Sequence, residues 1–417
     1  MIVRLQKILS GTYIRNVSWM AGAEVANRVI RLACTVILAR TFSSQDYGLM
    51  AIVYTLNDFF QVLTLRGGIG SKIIQADKQD ISTICNTAYW LGWITCSSLF
   101  VIQCLVALLL PYFSNNQNLT LPLIAVAFTY FAYPLFTIHL TLIERENRFK
   151  HAAICNVAVS LVTSITTATL ALMGMGIWSI VWSMILASPV WILCTWKYHS
   201  WRPPLRFSLE GWQEVLGFGS SLLITNLLNR IRANVDYLIV GRYLGVDALG
   251  TYYFAFNAGS GITISLLNTF MSPMYPYICA VKNDYQQFRE RYFSSLKKVS
   301  LILVPLILLQ SFLAPIYVPI IFGSKWTSAI PILILICLSV IPRIYAWAAY
   351  LLLNAINKPV IALRISSIFT AIFILSLLIV VKAGIVWVAA TVFICNFTLL
   401  FGCVSWIHKF ALNNKHF

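Results

Sequence analysis

The sequence predicts an all-α polytopic membrane protein, with about twelve transmembrane helices in two parallel-repeat six-helix lobes around a central cavity. Three observations carry that prediction. Of the 417 residues, 59% are hydrophobic and 10% charged, far from the roughly 25% charged residues of soluble domains. Apolar segments of about twenty residues, long enough as helices to cross roughly 30 Å of hydrocarbon, follow one another along the chain. A gapless shift of 202 residues lays NRVIRLACTVILARTFSSQDYG over NRIRANVDYLIVGRYLGVDALG, which is the mark of an internal repeat.

In order, the spans fall near 13–39, 47–70, 82–110, 119–143, 152–173 and 175–196, then 214–241, 248–275, 296–322, 327–353, 359–381 and 384–407. They must be helices, because lipid offers no partner to a backbone N–H or C=O and the runs are too long for barrel strands. Before the first span, MIVRLQKILSGTYIR reads as a short amphipathic lead to a retained helix; the apolar run after it is too long and too charged for a signal peptide. No Lys, Arg, Asp or Glu occurs between Asp80 and Glu144, where PYFSNNQNLTLP separates spans three and four by turn chemistry. Pro134, Pro189, Pro305 and Pro331 lie in or at the ends of spans and read as packing kinks, His139 as a satisfied polar residue, and Trp178, Trp182, Trp191 and Trp196 as interfacial or packing aromatics. Splitting between the sixth and seventh spans gives lobes of residues 1–206 and 207–417.

The loops sort by charge. The N-terminal lead, SKIIQADKQD, ERENRFK, WKYHSWRPPLR, KNDYQQFRERYFSSLKK, NKPVIALR and HKFALNNKHF hold twenty Lys and Arg, while the alternate loops hold Arg40, Arg242, Lys325 and Lys382. The positive-inside bias places the first set, with both termini, in the cytoplasm. The net charge of +17 is thus scattered singly between spans and forms no solvated patch for nucleic acid. The ten cysteines are isolated, with no CxxC and no Cys/His cluster, and read as small buried hydrophobes.

The repeat matches Asn27 to Asn229, Arg28 to Arg230, Arg40 to Arg242 and Gly48 to Gly250. Six spans separate the copies, so both halves enter the membrane from one side, around an axis along its normal. Arg40 and Arg242 fall at helix ends, where they snorkel, and Gly48 and Gly250 read as opening a helix after a tight turn. Asn27-Arg28 and Asn229-Arg230 lie near the midplane.

Ionisable groups at that depth cost several kcal/mol unless they face water or a partner. Glu24, Arg28 and Arg31 fall in span one, Asp58 and Arg66 in span two, Arg230, Arg232 and Asp236 in span seven, and Arg343 in span ten. Glu24 to Arg28 and Arg232 to Asp236 are i,i+4 pairs that would neutralise one another and fix helix register. A net excess of about +3 remains, and arginine is the side chain shaped for bidentate grip of phosphate oxygens. An anionic substrate is implied. Asn226, Asn229, Arg230, Arg232, Asn234 and Asp236 cover more than half of the seventh helix, so that helix faces water on one side. Arg343 follows Pro342, which fits a broken helix lining a cavity. Asp58 has no local partner in sequence and reads either as a proton or cation site or as the distant partner of an arginine.

RTFSSQDYG (40–48), SKIIQADK (71–78), ERENRFK (144–150), DYLIVGRYLGVDALGTY (236–252) and IIFGSKWTSAIPIL (320–333) resemble the polysaccharide transporter branch of the multidrug/oligosaccharidyl-lipid/polysaccharide (MOP) exporter superfamily, to which the MATE transporters also belong. The likeness is greatest to O-antigen and colanic acid repeat-unit flippases. It spans almost the whole chain, and its motifs sit at helix ends and loops. The resemblance implies translocation of an undecaprenyl-pyrophosphate-linked oligosaccharide across the bacterial cytoplasmic (inner) membrane by alternating access. It also implies a role for cavity arginines in holding the pyrophosphate, and membrane lipids, a polysaccharide polymerase and chain-length machinery as surroundings and partners. Here Arg28, Arg31, Arg230, Arg232 and Arg343, with Asn27, Asn226 and Asn229, are the residues whose depth suits that task. Glu24, Asp58 and Asp236 would pair with them or couple transport to ions.

No GxxxxGK[ST] motif for ATP occurs and no cofactor is expected, which leaves a proton or sodium gradient as the driving force. A drug or cation antiporter of the same superfamily would want an acidic cavity. A membrane-embedded polymerase would want large polar loops, whereas the longest non-cytoplasmic loop here is about ten residues. A non-transporting scaffold would leave the surplus arginines costly and unexplained.

Overall fold

The computed structural model describes residues 14–64, 66–77, 79–114, 117–203, 207–271, 273–281, 284–356 and 358–411. The N-terminal lead and the last six residues lie outside them. The described chain is helical from end to end. Helices α1 (Ile14–Thr41), α2 (Ser44–Leu63) and α3 (Arg66–Gln75) precede α4 (Ile81–Ser114), α5 (Thr120–Ala127), α6 (Tyr133–Arg145), α7 (Phe149–Leu172) and α8 (Ile177–Tyr198). Next come α9 (Trp212–Leu244), α10 (Val246–Phe256), α11 (Ile262–Met271), α12 (Met274–Cys279) and α13 (Tyr285–Tyr317). The last are α14 (Ile330–Leu338), α15 (Val340–Ala355), α16 (Pro359–Val380), α17 (Ile385–Cys395) and α18 (Phe401–Ala411).

Eight helical stretches among the described residues are long and apolar enough to cross a membrane, from Ile81–Leu110 through to Ile385–Ala411. They correspond to the expected spans three to six and nine to twelve. Helices also stand where spans one, two, seven and eight were expected, but these fall short in apolarity because they carry the charged and amide side chains. The fold is an all-α polytopic membrane fold. Side chains such as Leu301, Phe312 and Ile379 stand out on its surface, as those of lipid-facing helices do.

Two spans differ from expectation. The second is cut short: α2 ends at Leu63, where Thr64 turns back on the Gln61 carbonyl through both its N–H and its hydroxyl, and a separate helix starts at Arg66. The ninth helix starts earlier than its apolar run, because Asp284 caps it by accepting the Gln287 N–H at 3.0 Å and the charged stretch after this cap is helical too.

Proline positions split evenly. Pro189 and Pro305 lie inside helices, whereas Pro134 and Pro331 occupy first-turn positions of α6 and α14, where the missing N–H costs nothing. Spans four and ten each break within the bilayer-spanning stretch: a 3-10 turn over Phe128–Ala132 separates α5 from α6, and Ser339 separates α14 from α15. Backbone groups freed by breaks must be satisfied within the protein. Gln103 of α4 does this for the first, donating to the Leu123 carbonyl at 2.8 Å and accepting from the Tyr130 hydroxyl. Gln310 of α13 does the same at the π-turn Asn257–Gly261 between α10 and α11, donating to the carbonyls of Ala258 and Gly259 at 3.2 and 2.7 Å.

By contact, the chain divides into two compact units, Met1–Phe42 with Ile52–Ile231, and Ser43–Ala51 with Arg232–Phe417. The division passes through α2 and α9, so it is a different partition from the repeat-based boundary at 206/207. In the first unit α1 packs on α7, α7 on α8, and α3 on α6. Arg145 at the end of α6 caps α3: its guanidinium donates to the Ile73 carbonyl, to Ile74 at 3.2 Å and to Ala76 at 2.6 Å, taking up carbonyls that a helix end leaves open. His139 Nε2 donates to the Trp201 carbonyl at 2.8 Å and the ring stacks on Trp196, a structural role. In the second unit α14 packs on α13 and α17, and α15 on α18.

The repeat is visible inside the second unit. A Cβ on Gly48 would overlap the Val246 carbonyl oxygen and lie 2.6 Å from Val246 Cγ1; a Cβ on Gly250 would overlap the Ser44 carbonyl oxygen and lie 2.8 Å from the Gly48 nitrogen. Ser44 and Val246 are themselves 202 residues apart, so the two helix starts cross reciprocally. Neither glycine has a positive φ; both are glycine because two backbones touch, which corrects the turn-based reading. Ser43 and Asp46 form a capping box on α2, with Ser43 N–H and Oγ donating to Asp46 Oδ2 at 3.0 and 2.7 Å. Ser44 Oγ donates to Asp247 Oδ1 at 2.8 Å, tying α2 to the first turn of α10. Deeper along the helices, Cys34 of α1 points its thiol at the Ser164 carbonyl, 3.7 Å away, and Arg232 of α9 reaches Ser366.

Candidate substrate-binding site

All the candidate residues but Arg343 occupy helices that fall short of the apolarity of a membrane span. Asn27, Arg28 and Arg31 sit at the middle of α1, Asp58 in the last third of α2, Asn226, Asn229, Arg230 and Arg232 at the middle of α9, and Arg343 one turn into α15 after Pro342. Arg66, expected in the second span, instead begins α3; five arginines then stand against the three acids Glu24, Asp58 and Asp236. The Glu24 side chain, and with it the expected Glu24–Arg28 pair, lies outside the described residues.

In the first unit, the structure joins two candidates that are 172 residues apart. Arg230 Nη1 donates to Asp58 Oδ2 at 2.9 Å, and the two side chains are 43% and 35% exposed. Asp58 is therefore the distant partner of an arginine. Arg31 is exposed on α1 and acts electrostatically on Tyr54, one turn before Asp58 on α2. Asn226 and Asn229 are exposed on the same helix as Arg230, and Asn27 and Arg28 are half-buried. Asn27 Oδ1 and, beside Asp58, Asn57 Oδ1 are buried without a hydrogen-bond partner among the described residues.

In the second unit the expected Arg232–Asp236 pair does not form. Arg232 Nη1 donates to Ser366 Oγ of α16 at 2.7 Å. Asp236, 5% exposed, accepts the Tyr252 hydroxyl at 2.8 Å and the Tyr237 N–H at 3.0 Å. Its charge partner is Arg343, which also lies within electrostatic reach of Arg232. The reason is directional: residues four apart share a helix face only broadly, and a buried carboxylate settles where neighbouring helices offer donors. Two guanidiniums are thus held near one another against one carboxylate whose two oxygens each already accept a hydrogen bond. Beside them the Tyr350 hydroxyl is buried without a partner among the described residues, and Arg232 acts on it electrostatically. Such a cluster suits an oxyanion with several acceptor oxygens.

Sequence reasoning missed Tyr252, Ser366, Tyr350, Asn57 and Tyr54. Ser366 carried a signal, since it is Ser164 repeated at the 202-residue interval. Tyr54, Asn57 and Tyr252 stand close to quoted motifs but look like ordinary packing residues until the helices are placed.

The family described as "Polysaccharide biosynthesis protein" matches residues 37–331. The teichuronic acid biosynthesis protein TuaB of Bacillus subtilis is 24% identical over 361 residues, 85% of this chain and 74% of that protein. Among solved structures, an inward-facing multidrug resistance MATE family transporter of the MOP superfamily is 12% identical with a TM-score of 0.74, over 93% of this chain and 96% of its own. The lipid II flippase MurJ, in an inward closed conformation, is 14% identical with a TM-score of 0.74, over 94% and 87%. At these identities the solved structures speak for the shared fold.

Proposed function

The chain belongs to the polysaccharide biosynthesis protein family, and from that membership we propose that it is a flippase. Its cargo is a polyprenyl-pyrophosphate-linked oligosaccharide, such as an O-antigen or exopolysaccharide repeat unit, carried across a bacterial inner membrane by alternating access. The observation that carries this reading is the surplus of arginine within the helices: Arg28, Arg31, Arg230, Arg232 and Arg343 against three acids, the first four in helices that accept a cost in apolarity to hold them. A pyrophosphate is the part of such a lipid that positive charge recognises, while glycan and polyprenyl chain vary in polarity. Asn27, Asn226 and Asn229 add donors for phosphate or sugar oxygens. The relative named for teichuronic acid biosynthesis and the likeness in fold to a lipid II flippase agree with cargo of this kind.

In this reading both termini and the basic loops are cytoplasmic, and transport draws on a proton or sodium gradient. A polymerase and chain-length machinery receive the product. The test is leaflet-resolved transport of a defined lipid-linked oligosaccharide by purified protein in vesicles, with and without each gradient. Transfer of the pyrophosphate-linked lipid, and its loss when the pyrophosphate is absent from the lipid, is the expected result. Transport of organic cations instead would turn the assignment toward a drug antiporter.

A further inference from the structure

The ion pair between α2 and α9 is partly open, with 43% of the Arg230 side chain and 35% of the Asp58 side chain exposed. We infer that Asp58 is an internal counter-anion on Arg230, that a cargo phosphate displaces it, and that the displaced carboxylate takes up one proton. The inference rests on the proposed function only in requiring that the cargo carry phosphate.

Geometry supports each part. Arg230 Nη1 and Asp58 Oδ2 are 2.9 Å apart, on helices brought together only by folding, and about two fifths of each side chain is open. A pair open to that extent is accessible to a ligand, unlike the sealed Asp236 carboxylate, which is held by Tyr252 and its own helix. Phosphate is the stronger claimant on a guanidinium, because two of its oxygens match the planar fork. Once phosphate takes Arg230, the Asp58 carboxylate loses its counter-charge at membrane depth, where an unpaired charge costs several kcal/mol. Protonation removes that cost. The step balances simply: the guanidinium stays cationic, one carboxylate oxygen gains one proton from solvent, and the arginine exchanges one anion for another.

The groups around Asp58 set the titration. Arg230 faces it from α9, and Tyr54 lies one turn back on α2. Tyr54 in turn is reached by Arg31 and Cys34 of α1. Among these described groups Asp58 is the sole carboxylate, so it is the one that takes the proton when phosphate arrives.

The test uses the full chain in detergent or nanodiscs and a short-chain prenyl-pyrophosphoryl monosaccharide, a pyrophosphate diester whose own charge is constant near neutral pH. Calorimetry in buffers of different ionisation enthalpy should read one proton taken up per anion bound, with affinity falling about tenfold per pH unit over the range of uptake. In Asp58→Asn the uptake and the pH slope should vanish while binding at the alkaline end strengthens; Asp58→Glu should keep both. Persisting uptake in Asp58→Asn, or weaker binding by it at every pH, overturns the inference. Should Asp58→Asn fail to fold, the wild-type protein still decides: adding the probe should produce a new protonated-carboxyl band in the infrared difference spectrum, and its absence is a refutation. Binding without proton uptake defeats this inference alone, whereas no binding of the probe defeats the functional reading with it.

Discussion

Arg28 and Arg230 occupy repeat-equivalent places at the middle of their helices, and each is half-buried. Replacing either with alanine removes a guanidinium from the middle of a helix, and glycan export should be lost while membrane abundance is kept. Arg28→Lys should retain part of the activity, because it preserves charge and loses the bidentate fork. Full export by both alanine variants would contradict a cavity anion site. Asp236 makes a different demand. It is buried and held by the Tyr252 hydroxyl, so Tyr252→Phe should lower stability by about 1–3 kcal/mol, the usual worth of a hydrogen bond to a charged group. A shift in thermal unfolding of the purified protein measures it. No shift would mean that another donor replaces Tyr252.

At the level of elements, the membrane's demand for internal hydrogen bonding explains several features that look like irregularities. Spans four, eight and ten are broken, and glutamines on neighbouring helices serve two of the breaks. Gln310→Leu keeps volume but strips the donor from the Ala258 and Gly259 carbonyls, and should cost about 1–3 kcal/mol. Denaturation in detergent would show it as a lowered midpoint. The Gly48/Gly250 crossing is stricter. Even one methyl meets backbone rather than a pliable side chain there, so Gly48→Ala and Gly250→Ala should each lose about 1–3 kcal/mol through overpacking. Gly174 is a control of opposite cause: nothing lies near its Cβ and its φ is +77°, so alanine there strains the backbone without a clash. Size-exclusion monodispersity after graded heating separates the crossing glycines from tolerant positions.

For the whole molecule, the charge asymmetry of the loops predicts the orientation. Fusion of a cytoplasm-dependent fluorescent reporter after Lys150, and of a reporter active only outside the cytoplasm after Gly174, should both give signal. The reverse pattern would invert the topology and with it the direction of transport. The +17 net charge thus falls into two populations by position, basic residues in the loops and arginines at mid-helix depth.

The sequence by itself determined the class of the protein and the run of its spans, and it predicts their sidedness and a repeat. Each of these follows from a local property, since lipid selects some twenty apolar residues at a time and topology follows loop charge. It also singled out the helices that carry mid-span charge, because a charge inside an apolar run is visible without any partner. Which charges meet was decided by tertiary structure alone. Asp58 finds Arg230 across 172 residues and Arg232 finds Ser366 across 134, while the adjacent-turn pair of Arg232 and Asp236 does not form. Helix rotation and the choice of neighbouring helix set these contacts, and neither is written in the spacing of one segment. The glycines tell the same story: their identity is plain at 48 and 250, but the backbone contact that requires it exists only once two distant helix starts have crossed.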